Sequence, residues 1–188
     1  MTPQRPLAIC TLLAASLLVI QPGATQMAEA ADPAPSFQFT AIDGGTYDTA
    51  KWRGKPVLVV NTASLCGYTP QYTDLQALSD LYGDKAVVLA VPSDDFNQEL
   101  ASEAEVKDFC ELNYNLTLPM TTIAHVAAGD VHPFYAWISD TTGFVPGWNF
   151  NKVLIGPDGN FVQAWGSNAQ PMEAVKDAID AILPAGKP

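Results

Sequence analysis

The most informative pattern in the chain is an apolar run followed by a turn that contains a cysteine. Val57 to Val60 is unbroken and carries three β-branched residues, which is typical of a strand buried on both faces of a sheet. Cys66 lies in the turn, and Thr69 and Pro70 suit a helix N-cap and a first helical position. Apolar residues then recur at helical spacing as far as Tyr82. We therefore predict a buried strand that leads through the cysteine turn into a helix.

A second apolar run, Ala86 to Val91, follows this helix and predicts a second buried strand. Two strands joined by a helix in this way run parallel, with a right-handed crossover. The polar stretch Ser93 to Glu99 then falls at the carboxyl end of the second strand. Ser102 and Glu105 have the spacing of a capping box, and they predict a helix that contains Cys110.

Two antiparallel hairpins are predicted outside this unit. Residues 37–42 alternate between apolar and polar side chains, and an Asp-Gly turn leads back through Thr46 to Asp48. Near the C-terminus, Lys152 to Ile155 and Phe161 to Trp165 flank a Gly-Pro-Asp-Gly turn. A last helix is predicted from Pro171.

This order of elements predicts an α/β fold with a thioredoxin-like core. Its central mixed β-sheet is flanked by helices, one of them a short helix from Pro133 to Ile138 that Asp130 or His132 caps, and a β-hairpin precedes it. The length of 188 residues suits one domain with a sizeable core, and 48% hydrophobic with 15% charged residues is ordinary for a globular protein.

The charge pattern limits the partners and cofactors that we expect. A formal net charge of −11 with no basic cluster disfavours binding to nucleic acid and to anionic lipid. His125 and His132 have no cysteine or carboxylate at ligand spacing, so no metal site is predicted. No glycine-rich nucleotide loop occurs either, and we expect no bound cofactor.

Residues 1–30 are predicted to be a signal peptide. Arg5 gives a short positive region, and Leu7 to Ile20 is an apolar stretch shorter than a membrane span requires. A small-x-small sequence ending at Ala30 is typical of a cleavage site. We expect cleavage near Ala30, export to the periplasm or to the medium, and a mature domain, residues 31–188, without a membrane span.

Cleavage would remove Cys10 and leave Cys66 and Cys110. An even pair of cysteines in an oxidising compartment is typical of a disulfide, which is either a structural bridge or a redox pair that opens and closes. Cys66 is placed where a strand feeds a helix, and the positive helix end there favours a thiolate. A buried, inert cysteine is the other interpretation, and the pattern leaves both open.

Four ordered motifs resemble the glutathione peroxidase family: NTASLCGYTPQY at 61–72, FCELNY at 109–114, HPFYAW at 132–137 and WNFNKVLIGPDG at 148–159. Together they cover essentially the whole mature chain. The form is similar to the cysteine-containing, short-looped, monomeric branch. The resemblance implies a peroxidase that reduces hydrogen peroxide or organic and lipid hydroperoxides with a thiol reductant.

The resemblance also implies roles for individual residues. Cys66 corresponds to the peroxidatic residue, whose thiolate attacks the peroxide and becomes a sulfenic acid. Trp148 and Asn149 match the active-site pair, and their neutral N–H donors suit S⁻ and the departing oxyanion. Cys110 matches the resolving cysteine of thioredoxin-dependent members. Because few cations surround the site, we expect a dithiol protein as reductant in preference to glutathione.

One position departs from the family pattern. Counting from Pro92, Asp95 stands where the family has a catalytic glutamine, and Gln98 follows shortly after. An ionised carboxylate beside Cys66 would disfavour the thiolate. We expect Asp95 to occupy the glutamine position, so that Asp95→Gln keeps or raises activity. Asp95 could be protonated, turned away or paired at this position, and the alternative is a loop shift that brings Asn97 or Gln98 into place.

The predicted position of Cys110 in the middle of a helix has a further consequence. A disulfide requires Cα atoms within about 7 Å, so we expect the two sulfurs to lie apart when reduced and this helix to unwind partly on oxidation. Two other functions stay open. A thiol–disulfide oxidoreductase is disfavoured because the sequence from Cys66 to Thr69 lacks a second cysteine. A non-catalytic exported domain with a structural Cys66–Cys110 disulfide is the other.

Overall fold

The computed structural model describes residues 35–183, and these begin with a small antiparallel hairpin. Its strands are β1, Gln38–Thr40, and β2, Thr46–Asp48. The turn between them places Gly44 at φ 92° and Gly45 at φ 82°, a left-handed conformation that glycine adopts without steric cost. The predicted N-terminal hairpin is confirmed.

The predicted signal peptide, residues 1–30, lies outside the described residues, as does Cys10. Cleavage near Ala30 and export therefore stay predictions. Within residues 35–183, no helix has the length and apolar character needed to cross a membrane.

The centre of the fold is a four-stranded mixed sheet with the order β4-β3-β5-β6. Strand β3, Val57–Thr62, has all six residues buried, as its apolar sequence predicts. It pairs in parallel with β4, Val87–Pro92, and antiparallel with β5, Lys152–Ile155. Strand β6, Phe161–Trp165, completes the sheet beside β5. The predicted β-α-β unit and C-terminal hairpin are both present.

In the part of the chain that the structure describes, four α-helices accompany the sheet: α1, Tyr72–Tyr82; α2, Glu103–Tyr114; α3, Pro133–Thr142; and α4, Lys176–Ile182. Alternate residues of β3 point to opposite faces of the sheet and divide the core in two. Leu58 and Val60 join the buried side chains of α1, α2 and α4, whereas Val57 and Val59 join those of α3 and the hairpin. This arrangement is the predicted mixed sheet flanked by helices.

The start of α1 differs from the prediction. Thr69 opens a short 3-10 turn, Thr69–Gln71, before α1, and its side chain caps no helix amide. Its hydroxyl instead accepts a hydrogen bond from the Cys66 amide at 3.1 Å and lies 2.8 Å from the carbonyl oxygen of Ala63. Thr69 therefore stabilises the cysteine turn itself.

The other predicted helix starts agree better with the structure. The Ser102 hydroxyl accepts a hydrogen bond from the Glu105 amide at 3.3 Å, so the capping box of α2 is confirmed. His132 caps α3, because its Nδ1 accepts from the Phe134 amide at 3.2 Å. The last helix begins at Pro171 as predicted, although its first turn, Pro171–Val175, is of π type.

Candidate active site

Cys66 lies in the loop that follows β3, residues 63–68, which we call the Cys66 loop. The side chain is 7% exposed, and its sulfur accepts a hydrogen bond from the backbone amide of Tyr68 at 3.4 Å. This backbone N–H donor holds the sulfur in a defined position within the loop. The small exposure leaves the sulfur close to solvent at the carboxyl end of a parallel strand, as predicted from the sequence.

The Cys66 loop is attached to the loop that follows β4, residues 93–99, which we call the polar loop. The Leu65 amide donates to the Gln98 carbonyl oxygen at 2.9 Å, and the Ser64 amide donates to Glu99 Oε1 at 3.0 Å. The donors are the two residues immediately before Cys66, so these bonds hold the two loops together.

A third segment, residues 148–151, is attached to the end of β3 through Asn61. The Asn61 Nδ2 donates to the Trp148 carbonyl oxygen at 3.0 Å, and its Oδ1 accepts from the Asn151 amide at 3.0 Å. Asn61 is fully buried, so these bonds are shielded from competing water. Sequence reasoning identified Asn61 only as part of a motif, and the structure explains why an amide side chain is needed there.

Asn149 is completely buried and is paired with Gln98. Its Nδ2 donates to Gln98 Oε1 at 3.1 Å, while its Oδ1 has no hydrogen-bond partner among the described residues. The neighbouring Trp148 is 41% exposed, and its ring packs against Phe96 of the polar loop with centroids 5.4 Å apart. The polar loop therefore contacts both members of the predicted active-site pair.

Asp95, which we expect at the glutamine position, is turned towards residues 125–128 and paired there. Its Oδ1 lies 2.5 Å from His125 Nδ1, and its Oδ2 accepts from the amides of Val126 and Ala127 at 2.7 and 2.8 Å. Burial raises the pKa of Asp95, but these hydrogen bonds outweigh burial and lower it. The carboxylate turns towards this set of donors, and the carboxamide that reaches Asn149 is that of Gln98, one of the two alternatives.

Cys110 lies in the middle of α2 and is 1% exposed. Burial raises the pKa of its thiol to about 11; the Tyr72 hydroxyl lowers it slightly, and the Glu99 and Glu111 carboxylates raise it. Cys66 and Cys110 are both free thiols in this structure, and both belong to the same buried cluster of the core. Two buried cysteines, one in a loop and one within a helix, thus belong to one core cluster.

Lys152 is a buried cation that sequence reasoning placed in β5 without a role. Its Nζ donates to Gln71 Oε1 at 2.5 Å and to the Ser167 carbonyl oxygen at 3.3 Å, and burial lowers its pKa to about 8. The Ser167 hydroxyl in turn donates to the Asn149 carbonyl oxygen at 2.6 Å. This network connects the turn after the Cys66 loop with the Asn149 segment. A lysine in an otherwise apolar strand was the available signal.

The sequence model of the glutathione peroxidase family matches residues 35–139. The chain belongs to this family. A hydroperoxy fatty acid reductase of Synechocystis sp. is 36% identical over 159 residues, covering 78% of this chain and 94% of that protein. A glutathione peroxidase-like peroxiredoxin of Schizosaccharomyces pombe is 35% identical over 147 residues, which cover 75% of this chain and 92% of that protein.

Solved structures agree with this assignment. The crystal structure of T. cruzi GPX1 superposes with a TM-score of 0.60 at 26% identity and covers 78% of this chain and 93% of that one. The resemblance of the four motifs and the thioredoxin-like fold are therefore confirmed. As a member of the glutathione peroxidase family, the protein is a peroxidase that uses a thiol co-substrate.

The site of this glutathione peroxidase family member brings together most, but not all, of the predicted residues. Cys66, Trp148 and Asn149 lie on segments that hydrogen bonds join directly or through the polar loop. The Gln98 side chain accepts from Asn149, whereas the Asp95 side chain is paired with residues 125–128. Across residues 35–183, no group of three or more histidine, cysteine or acidic side chains is arranged to hold a metal ion.

Proposed function

We propose that the protein is an exported thiol peroxidase that reduces hydrogen peroxide or organic and lipid hydroperoxides at Cys66. The observation that carries this is the Cys66 sulfur in the loop that follows β3, with the Tyr68 amide donating to it. The thiolate attacks the distal peroxide oxygen. An S–O bond forms, the O–O bond breaks, and the departing oxygen leaves as water or alcohol after taking a proton.

Trp148, Asn149 and Gln98 are proposed to stabilise the charges of this step. The indole and the two carboxamides are neutral donors, so they can favour S⁻ and the departing oxyanion without changing their own ionisation. The hydrogen bond between Asn149 and Gln98 supports this role, because it limits the rotation of both carboxamides. A fixed donor loses little free energy in reorganisation during the reaction.

Cys110 is proposed to resolve the sulfenic acid. Its sulfur attacks that of Cys66, an S–S bond forms, and the sulfenic oxygen leaves as water. Because Cys110 is 1% exposed in the middle of a helix, we infer that α2 unwinds partly to bring the sulfurs together. Superimposable backbones at 100–115 in reduced and oxidised crystals would contradict this inference.

A dithiol protein of the thioredoxin type is proposed as reductant, in preference to glutathione. Glutathione carries carboxylates that require cations, and the lysine on α2, Lys107, already pairs with Asp43 at 2.9 Å and with Glu111. Measured turnover with a thioredoxin-like protein and with glutathione, at equal thiol concentration, tests the choice. Faster turnover with glutathione would overturn it.

Export and a monomeric state complete the proposal and rest on the sequence features of residues 1–30 and on the short-looped form. Intact mass and N-terminal sequencing of protein recovered from the periplasm or the medium should give a start near residue 31. An uncut Met1 would contradict export through a cleaved signal peptide. Light scattering of the mature protein tests the monomer.

Mass spectrometry of the reduced mature protein after stoichiometric peroxide is the decisive experiment for the chemistry. Wild type should lose two hydrogens, Cys110→Ser should gain one oxygen on Cys66, and Cys66→Ser should stay unchanged. Equal oxidation of Cys66→Ser and wild type would overturn the assignment. A disulfide that forms in air and thiols that ignore peroxide would instead favour a structural bridge.

A further inference from the structure

The peptide bond between Asn149 and Phe150 leads into a strained backbone conformation directly beside a proposed active-site donor. Phe150 has a φ of 61°, a left-handed conformation in which the Cβ of a bulky residue crowds the backbone. The other non-glycine residues with positive φ within residues 35–183 are Asn97 and Asn115, and asparagine tolerates this conformation better. The conformation of Phe150 therefore requires contacts that hold it in place.

Hydrogen bonds hold this peptide unit on both of its sides. The Ser167 hydroxyl donates to the Asn149 carbonyl oxygen at 2.6 Å, and the Phe150 amide donates to the Asn61 carbonyl oxygen at 2.6 Å. In a planar trans peptide the C=O and N–H bonds point in opposite directions, so rotation of the unit would break both bonds. We call the unit formed by the Asn149 carbonyl and the Phe150 amide the clamped peptide.

The ring of Phe150 limits how the strain can be relieved. Phe150 is 0% exposed, and its ring packs edge-on against that of Tyr72 in α1 with centroids 5.3 Å apart. A relaxation that keeps this ring in the core would turn the clamped peptide. Because the carbonyl group of that peptide belongs to Asn149, such a turn would also change the backbone that carries the Asn149 side chain.

Ser167, in the loop that follows β6, is fixed by two buried side chains. Its carbonyl oxygen accepts from Gln71 Nε2 at 2.7 Å and from Lys152 Nζ at 3.3 Å. Gln71 is 6% exposed and Lys152 is 0% exposed. Gln71 lies in the 3-10 turn that directly follows the Cys66 loop. The position of Ser167, and through its hydroxyl that of Asn149, is therefore tied to the segment that carries the reacting thiol.

We propose that Ser167 is a positioning residue of the peroxide step, which holds the clamped peptide and thereby keeps the Asn149 carboxamide in the direction that the reaction at Cys66 uses. This inference rests on the proposed function, in which Asn149 stabilises the departing oxyanion. The Asn149 Nδ2 donates to Gln98 Oε1 at 3.1 Å, so a turn of the clamped peptide would also disturb this pair. Without the Ser167 hydroxyl, Phe150 relaxes to a negative φ and the carboxamide loses its fixed direction.

Quenched-flow oxidation of the reduced protein with hydrogen peroxide, compared with alkylation by iodoacetamide, isolates this role. Mass spectrometry follows both reactions at Cys66. Ser167→Ala should lower the rate constant of oxidation at least about fivefold, since misplacement of a group by about 1 Å can cost on the order of 100-fold. Alkylation involves no departing oxyanion, so Ser167→Ala should be alkylated at the wild-type rate.

Two further variants serve as controls. The Thr142 hydroxyl makes a similar pair of bonds, because it donates to the Ile138 carbonyl oxygen at 2.7 Å and accepts from the Phe144 amide at 3.0 Å. Ile138 packs in the other core cluster from Phe150, so Thr142→Val should leave both rates unchanged. Ser167→Thr keeps the hydroxyl and should keep most of the wild-type oxidation rate.

A double-variant cycle tests whether Ser167 acts through Asn149. Asn149→Ala removes the carboxamide, so the addition of Ser167→Ala to this variant should slow the oxidation of Cys66 no further. Two effects that multiply would mean that Ser167 acts by another route, and they would overturn the proposal. A crystal structure of Ser167→Ala should show Phe150 at a negative φ, and an unchanged clamped peptide would overturn the proposal as well.

The rates also separate this inference from the function on which it rests. An oxidation rate that Ser167→Ala does not change overturns only the role of Ser167. Equal losses in oxidation and alkylation overturn it too, because they would indicate a disturbed Cys66 loop. Wild-type protein whose Cys66 does not react with hydrogen peroxide overturns the proposed function itself.

Discussion

Cys66 and Cys110 occupy two regions of one core that differ in almost every local property. Cys66 follows a strand, lies in a loop and receives a backbone N–H bond on its sulfur. Cys110 lies within a helix, is 1% exposed, and has a thiol whose pKa burial raises to about 11. In the proposed mechanism the first sulfur reacts where it stands, while the second first leaves its surroundings. The difference suits an order of events in which oxidation precedes rearrangement.

Replacement of each cysteine by serine should have the largest effect on activity and tests this difference directly. Cys66→Ser should reduce peroxidase turnover to the uncatalysed rate, because no other thiol lies in the loop. Cys110→Ser should still undergo one oxidation per molecule but should lose turnover with a dithiol protein. Peroxide consumption under single and multiple turnover measures both. Multiple turnover by Cys66→Ser would contradict the assignment of Cys66 as the thiol that reacts with peroxide.

Removal of the Gln98 carboxamide should have the next largest effect. Gln98→Leu removes the partner of Asn149 and should lower kcat/KM for hydrogen peroxide by about 10- to 100-fold, or roughly 1.4–2.7 kcal/mol. Gln163→Leu, an exposed glutamine of β6, is the control and should have wild-type activity. An unaffected Gln98→Leu would mean that the polar loop serves only to hold the Cys66 loop.

Asp95→Asn should affect stability more than chemistry. The carboxylate accepts hydrogen bonds from His125 and from backbone amides at 126–128, so the substitution should lower the free energy of unfolding by about 1–3 kcal/mol. Asp140→Asn, exposed on α3, is the control. Chemical denaturation measures both. The expectation that Asp95→Gln keeps or raises activity stays a prediction, and the structure adds an expected loss of stability for changes at this carboxylate.

The pair formed by Asp95 and His125 also predicts that the stability of the folded protein depends on pH. The pKa of Asp95 is lowered in the folded protein, so its stabilisation is present above the usual carboxyl pKa and is lost as pH falls through the lowered value. The pKa of His125 is raised, chiefly by its hydrogen bond to Asp95. Its contribution is therefore complete below the usual histidine pKa and is lost as pH rises through the raised value. In a series of Tm measurements across pH, His125→Gln should remove the loss of stability at higher pH and keep the loss at low pH.

Ser102→Ala tests whether α2 must open. Loss of the cap to the Glu105 amide should destabilise the helix start by about 1 kcal/mol and should speed disulfide formation up to about fivefold. Asp48→Ala removes a cap to the Ala50 amide near the hairpin, far along the chain from α2, and should leave that rate unchanged. Slower disulfide formation in Ser102→Ala would contradict the unwinding of α2.

Leu65→Ser should have the smallest effect. Leu65 is 61% exposed immediately before Cys66 and can contact an apolar substrate chain. Its loss should lower activity with a fatty acid hydroperoxide by about two- to fivefold, in line with a modest apolar area, and leave hydrogen peroxide unaffected. Equal losses with both substrates would indicate a disturbed Cys66 loop.

The sequence predicted the fold better than it predicted the polar loop. The apolar run of β3 and the capping box of α2 each depend on local patterns, which spacing alone reveals. The position of the Gln98 side chain does not depend on a local pattern of this kind. Gln98 accepts from Asn149, and Asp95 pairs with residues 125–128. These partners are distant in sequence, so counting from Pro92 could not reveal in which direction either side chain turns.

The positions of one buried cation and one buried acid were missed for another reason. Lys152 and Glu99 are charged residues, which are rarely buried, and their roles depend on partners distant in sequence. Glu99 is fixed by Ser64, and Lys152 reaches Gln71 across the fold. Only the assembled sheet brings these pairs together.

The presence of Cys110 in the main core links the redox state of the protein to its lifetime. Val106 and Leu116 belong to the same buried cluster, so withdrawal of Cys110 into a disulfide would loosen the packing that these neighbours share. Under sustained peroxide without reductant, the enzyme would accumulate in its more open form and become a better protease substrate. Turnover by the reductant would then protect the catalyst as well as regenerate it.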